Sequence, residues 1–523
     1  MTDKRLFDAA IDRRAFLQKG ALGLGMALVA SRKASAWGML DVQGQSSPDV
    51  RNAILELKVL IGGKKIVVPG DSSYARTGQP ANGSYRNIRP TAIALCQDED
   101  DVVQCVKWCN KHRISPVVRG GGHSYAGYST TTGLLIDLSE LKDIKVDKES
   151  GTAVAGGAAQ NRHVLAATEN SKYFLPVGTC LGVGVGGLVL GGGIGYNTRW
   201  AGLTSDSLVS TKIVTASGAV LTASADENSD LFWACRGGAG GSFGVNTSFT
   251  FKLKEVPHED VMYFLLQLEG ADNAFSMFSE FNKLMAAPDS RINAVARASA
   301  VKEGSGGKRD GIDIMARGQF IGSKRELEDL LTSYPWLKKH WVIEPMPFWD
   351  AGRKFVGEAG AQHCFGDISR YAKEPISEKA ISQQIELLRK CPGRSTNAIG
   401  PSGSMWSLGW VGGEVMNKPG RADTAYVHRG MSTLLRPTCS WPNGEEGVGG
   451  ELRSWTKEMV AAIAPDTPNE SYQNFPNRLI EDWQRQYYAE NLGRLIEIKM
   501  RYDKDNLFNN AQSIPVTPLE GAG

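Results

Sequence analysis

Between residues 98 and 257 the apolar positions switch repeatedly between two periods. Val102, Val103, Val106 and Cys109 recur at helical spacing behind a run of acids that starts at Asp98, which predicts a helix with dipole-compatible charge in its first turn. Ser115 to Val118 and Leu134 to Leu138 read as short strands, and the first runs straight into Arg119-Gly120-Gly121-Gly122-His123-Ser124. Lys212 to Ala216 and Ala219 to Ala223 flank Ser217-Gly218, a hairpin turn. From Val245 to Leu253 apolar and polar residues alternate as in a half-buried strand, and Pro257 closes the block. From about 258 to 450 the character changes: helical stretches near 272–286 and 377–390, and irregular strands at Ile312 to Phe320 and Met405 to Met416. The final segment is helical around Trp483 to Tyr502 and ends extended. This order predicts an α+β protein of two domains with no internal repeat.

The length of 523 residues and 41% hydrophobic content allow a large buried core. Lys plus Arg (59) nearly balances Asp plus Glu (56), so no strong field favours a nucleic-acid partner. At the start of the chain, Arg13-Arg14-Ala15-Phe16-Leu17 precedes an apolar run from Gly20 to Ala30 and a small-residue site at Ala34-Ser35-Ala36. The run is too short to span a bilayer, so stable membrane insertion is not expected. It resembles a twin-arginine signal over residues 1–36, implying transient contact with that export machinery and a periplasmic or secreted mature chain. Cys105 and Cys109 have helical rather than metal-ligand spacing and read as core, and no metal site is expected.

Glycine is the unusual count, 60 residues, against about 7% in ordinary globular chains. Many fall in three clusters, 120–122, 178–195 and 237–244, each beside a strand or turn. Bare backbone lets N–H groups approach an anion closely, so a phosphate-bearing cofactor is the natural guest. Gly191-Gly192-Gly193-Ile194-Gly195 does not open a strand-to-helix dinucleotide unit, and there is no Walker sequence. One cluster carries His123 and another Cys180.

The Arg119 to Ser124 loop and the run Gly178-Thr179-Cys180-Leu181-Gly182-Val183-Gly184-Val185-Gly186-Gly187 closely resemble the PCMH-type FAD-binding domain of the vanillyl-alcohol-oxidase superfamily. The tail from Arg494 through Asn506, Phe508 and Gln512-Ser513-Ile514-Pro515 resembles the berberine-bridge-enzyme-like branch. The resemblance implies an FAD domain over 45–257 with its core at about 86–257, a substrate domain over 258–455, and a C-terminal segment, 456–523, returning to the FAD domain.

It also implies roles. His123 and Cys180 fall where that branch attaches FAD covalently, and an imidazole or thiolate suits addition to an electron-poor ring. Arg119, Gly120, Gly121, Gly122, Ser124, Gly178, Thr179, Val183, Gly184, Gly186, Gly187, Gly193, Gly195, Gly244, Val245, Asn474, Asn510 and Gln512 complete the expected FAD-binding set. Tyr472-Gln473-Asn474-Phe475 matches the family's Tyr-x-Asn-aromatic motif, which makes Tyr472 the expected catalytic base; Phe475 and Asn477 depart from the commoner Tyr and Asp. The cyclising members' glutamate position holds Met416, with Glu414 nearby. Valine at 183 goes with oxidase behaviour, and His428 and Arg429 read as architectural. The expectation is an oxidase of a small-molecule alcohol, with dioxygen as acceptor. A dehydrogenase, an amine or alkaloid oxidase with a different base, and a non-catalytic flavin-binding protein stay open, as do the substrate and oligomeric state.

Overall fold

In the computed structural model, residues 48–257, 259–301, 311–357, 363–392 and 404–517 are described. The expected export segment, 1–36, lies outside them. No described helix is long and apolar enough to cross a membrane.

The first unit holds two main sheets and a two-stranded pair of Tyr173–Phe174 with Lys254–Glu255. Ile66–Val67, Ala92–Leu95, Leu134–Asp137 and Pro116–Arg119 form a four-stranded sheet in that spatial order, with its last three strands parallel. The expected helix is Glu99–His112: Asp98 caps it by accepting the Asp101 N–H, and Arg113 ends it in the left-handed region. It packs with Pro48–Ile61 in a core that includes the fully buried Cys105 and Cys109. None of the described cysteines is disulfide-bonded. The second sheet is antiparallel and five-stranded, ordered Ile144–Asp147, Thr152–Gly156, Gly244–Lys252, Leu208–Thr215, Val220–Ser224; the last two are the expected hairpin.

The second unit is an eight-stranded antiparallel sheet: Val342–Met346, Val261–Glu269, Ile312–Phe320, Ile292–Ala300, Ser404–Gly409, Thr433–Trp441 and Cys364–Asp367 in order, with Arg370–Ala372 also on Thr433–Trp441. Its two faces follow the period of two. Ile292, Ala294, Ala296, Ala298 and Ala300 point into a core with helices Ala271–Ala286, Glu378–Arg389 and Glu446–Ile463. Val295, on the other face, belongs to a separate cluster with Tyr196, Tyr263 and Phe355.

Two sequence expectations change. The strand expected over Met405 to Met416 stops at Gly409, and the chain then turns into the short helix Gly413–Asn417. Gly409 (φ 130°) closes the strand, and Gly412 (φ 99°) and Gly413 (φ 75°) take positive φ where the helix begins. The 455/456 boundary falls inside helix Glu446–Ile463, which covers the eight-stranded sheet. Three glycines near its start mask it in sequence, and one is required by packing: a Cβ on Gly449 would lie 2.4 Å from the Trp441 ring.

After Trp483–Tyr488 and Leu492–Tyr502, the tail returns to the first unit, where Leu507 and Phe508 join the core under the four-stranded sheet. Lys499 and Asp503, both fully buried, pair at 2.5 Å. The ammonium also donates to the carbonyls of Ser242 and Phe508, each at 2.7 Å, stapling the tail to the third glycine cluster.

Candidate active site

A cavity of ≈300 Å³ lies where the two units and the tail meet. Its walls come from all three glycine clusters and from sequence as distant as Gly120, Cys180, Gly241, Tyr472 and Gln512. The glycines do two different jobs. Gly121 and Gly184 bring two loops into backbone contact: a Cβ on Gly121 would sit 2.3 Å from the Gly184 nitrogen. At Gly187 and Gly241, also in the wall, an added Cβ meets nothing within 4 Å, so bare backbone faces open space. Such a cradle fits a flat, phosphate-bearing group that lies tight against the main chain.

Of the residues expected from sequence, Gly120, Gly121, Gly122, His123, Ser124, Gly178, Thr179, Cys180, Val183, Gly184, Gly186, Gly187, Gly244, Tyr472, Asn474, Asn510 and Gln512 line this cavity. Arg119, Gly193, Gly195 and Val245 do not. Arg119 is buried behind the loop, where its guanidinium meets Asp137 at 2.7 Å and supports the strand end. Val245 is fully buried in the core. Gly195 passes a backbone crossing where a Cβ would lie 2.0 Å from the Val177 carbonyl. Gly193 acts through its amide, as follows.

Tyr472 is 1% exposed. The amides of Gly193 (3.1 Å) and Ile194 (3.3 Å) and the Asn474 side-chain amide (3.1 Å) all donate to its Oη. Asn474 is itself held by donating to the Leu188 carbonyl at 2.9 Å. Burial pushes the Tyr472 phenol up to about 12, against the pull of those three donors. An oxygen facing three N–H groups is built to carry negative charge, as an oxyanion hole is.

At the other end, burial holds the His123 imidazole below its usual range, which keeps it neutral. Cys180 is half-buried, and its backbone bridges to Gly357 on the loop before the eight-stranded sheet's Cys364 strand. Sequence reasoning missed Tyr125 and Arg436, both in the wall. Arg436 donates to Tyr125 Oη at 2.6 Å, pairs with the buried Asp367 at 2.5 Å and lies 4.0 Å over the Phe475 ring. Tyr125 immediately follows the His123-Ser124 motif and was available as a neighbour; Arg436 has no sequence signal, being fixed by strand register.

The remaining candidates are structural in this geometry. Glu414 is exposed, and Met416 is buried with its sulfur accepting the Gly412 N–H at 3.2 Å. His428 bonds Glu470 at 2.7 Å and Arg429 grips Asp206 at 2.6 Å, both outside the cavity wall. Asn477, in place of the commoner acid, donates to the Asp367 carbonyl at 2.7 Å.

Comparison with known proteins fits this cavity. Residues 90–224 match the FAD binding domain family, and residues 471–515 match the family described as berberine and berberine like. The chain is 32% identical over 466 residues to the uncharacterized FAD-linked oxidoreductase YgaK of Bacillus subtilis, covering 86% of this chain and 96% of that one. It is 29% identical over 478 residues to chitooligosaccharide oxidase of Gibberella zeae, covering 86% and 92%. Among solved structures, Physcomitrella patens BBE-like 1 superposes with a TM-score of 0.76 at 25% identity, covering 88% of this chain and all (100%) of that one. With the three glycine loops closed around one cavity and the tail sealing it, the chain belongs to the berberine-bridge-enzyme-like FAD-linked oxidoreductases of the PCMH-type fold.

Proposed function

We propose that this protein oxidises an alcohol group on a small molecule, with Tyr472 as the base and dioxygen as the final acceptor. FAD, held in this cavity, would supply the hydride acceptor, with dioxygen as the oxidant that returns it to the oxidised form and leaves as hydrogen peroxide. The observation that carries the reading is the trio of N–H donors on Tyr472 Oη in the cavity wall. They stabilise the oxygen in its charged form, so that it takes the substrate's hydroxyl proton as the carbon–hydrogen bond breaks. Without them burial alone would make that form still harder to reach.

His123 and Cys180 would hold the cofactor covalently. The neutral imidazole is in its nucleophilic state, and both side chains open on the same cavity as the bare backbone of Gly187 and Gly241. Val183, small and in the wall, leaves room for dioxygen. The paired Arg13-Arg14 support export of the folded, loaded chain.

The test is anaerobic reduction of the holoprotein by a panel of alcohols, chitooligosaccharides included, followed by peroxide detection in air. Tyr472→Phe is expected to keep its yellow colour and lose reduction by substrate. Full retention of the rate in Tyr472→Phe would overturn the assignment. Intact mass in denaturant of His123→Ala, Cys180→Ala and the double variant reads the attachment separately: each single variant keeps the FAD mass and the double variant loses it.

A further inference from the structure

The face of the eight-stranded sheet turned toward the cavity carries a row of side chains across its strands. Register places Arg297 opposite Ser407, and Ser407 opposite Arg436, so all three point the same way. Arg436 is in the cavity wall and spends its charge on Asp367. On the other side, Arg317 is the diagonal neighbour of Arg297, since Val295 pairs with Arg317 and Arg297 with Met315; such neighbours stand roughly 7–8 Å apart.

Neither arginine forms an ion pair with a carboxylate among the described residues, although Asp313 stands one step along the same face from Arg297. Arg317 is held in place by donating to Tyr196 Oη at 2.6 Å and to the carbonyls of Lys354 (2.9 Å) and Phe355 (3.4 Å), while its buried Nε has no partner. Arg297 is half-buried and makes no hydrogen bond or ion pair among the described residues. Asp313 is opposite Ser299, one step further along the ladder and on the same face, where its charge favours that of Arg297. Burial and the neighbouring Arg317 press against the Arg297 charge, and Tyr196 and Asp313 offset them in part. Two guanidinium groups side by side, half out of water, are costly unless an anion joins them.

The aromatic surroundings connect this pair to the reactive end of the cavity. Tyr196, which receives Arg317, stacks on Phe355 at 4.2 Å and lies 5.0 Å from Trp410. Trp410 packs in turn against the cluster that holds Tyr472. These rings and the two arginines lie beyond the ≈300 Å³ cavity itself, on the same sheet face as its wall residue Arg436, so a molecule reaching Arg297 would extend from the cavity along that face.

We propose that Arg297, backed by Arg317, forms a carboxylate-binding subsite, and that the substrate is an alcohol bearing a carboxylate some distance from the carbon that is oxidised. This rests on the alcohol-oxidising reading of the same cavity but is tested by binding alone. The holoprotein is titrated without oxygen with two matched pairs, glucuronate against glucose and 4-(hydroxymethyl)benzoate against benzyl alcohol, following the visible flavin band and tryptophan emission. At least one acid is expected to bind more tightly than its neutral partner, with an affinity that falls as salt rises. Arg297→Gln raises the Kd of that acid roughly ten- to a hundredfold, whereas Arg297→Lys restores part of it. Thermal midpoint and flavin content of both variants report whether the fold is intact. Equal affinity within both pairs, failure of both acids to bind, or an acid preference that survives in folded Arg297→Gln would each overturn the subsite. An acid that binds through Arg297 but never reduces the flavin would leave the subsite standing and remove the oxidase reading instead.

Discussion

Removing one donor from Tyr472 is the sharpest test of how its oxygen carries charge. Asn474→Ala deletes the 3.1 Å side-chain bond and leaves the two backbone amides of Gly193 and Ile194. A hydrogen bond to a charged oxygen contributes about 1.5–3 kcal/mol, and about 1.4 kcal/mol corresponds to one pKa unit. The phenol, already raised to about 12, therefore rises by roughly one to two further units. On the proposed reading the reactive form is the deprotonated one, so the rate in the wild type is expected to climb with pH beyond the ordinary tyrosine range of about 10. In Asn474→Ala the same climb is displaced to higher pH, and below it the rate is roughly ten- to a hundredfold lower. Stopped-flow reduction of the holoprotein across pH measures this, with flavin content and thermal midpoint as controls for folding. An equal loss at every pH, with no displacement, would refute the donor argument and reduce Asn474 to a prop for the Leu188 carbonyl.

Other outcomes follow from the same geometry. Lys499→Met leaves Asp503 buried without its cation and is expected to cost about 3–5 kcal/mol, read by denaturant unfolding. Burial already holds the Asp503 carboxyl above its usual range, so it protonates as pH falls and the deficit of the variant shrinks toward acid pH; a deficit that grows there would contradict this. Gly184→Ala puts a Cβ 2.4 Å from the Gly121 nitrogen, forces two loops apart, and is expected to abolish flavin retention on purification. Val183→Leu narrows the cavity wall and is expected to slow reoxidation by oxygen while leaving anaerobic reduction by substrate unchanged, which double-mixing stopped flow separates.

Much of the frame was legible because local patterns agree with the tertiary environment. The alternation from Val245 to Leu253 became Gly244–Lys252, central in its sheet, and the acids beginning at Asp98 became a capped helix start. The failures have physical causes. Gly449 looks like a helix breaker, yet Trp441 requires it. Arg297, Arg317 and Arg436 are scattered over 139 positions' worth of chain numbering in three strands, and only antiparallel register brings them to one face. Loop glycines were readable as a group, but which face a cavity and which merely let backbones cross, as Gly195 does at Val177, depends on contacts that no local pattern records.

The cavity draws its walls from Pro116 to Gln512, and Lys499 ties the last turn of helix to Ser242. A chain still emerging from the ribosome has no such enclosure, because the final wall is translated last. Cofactor capture therefore awaits a chain extended at least as far as Gln512, and any truncation before Phe508 is expected to yield an apoprotein however well its first sheets form.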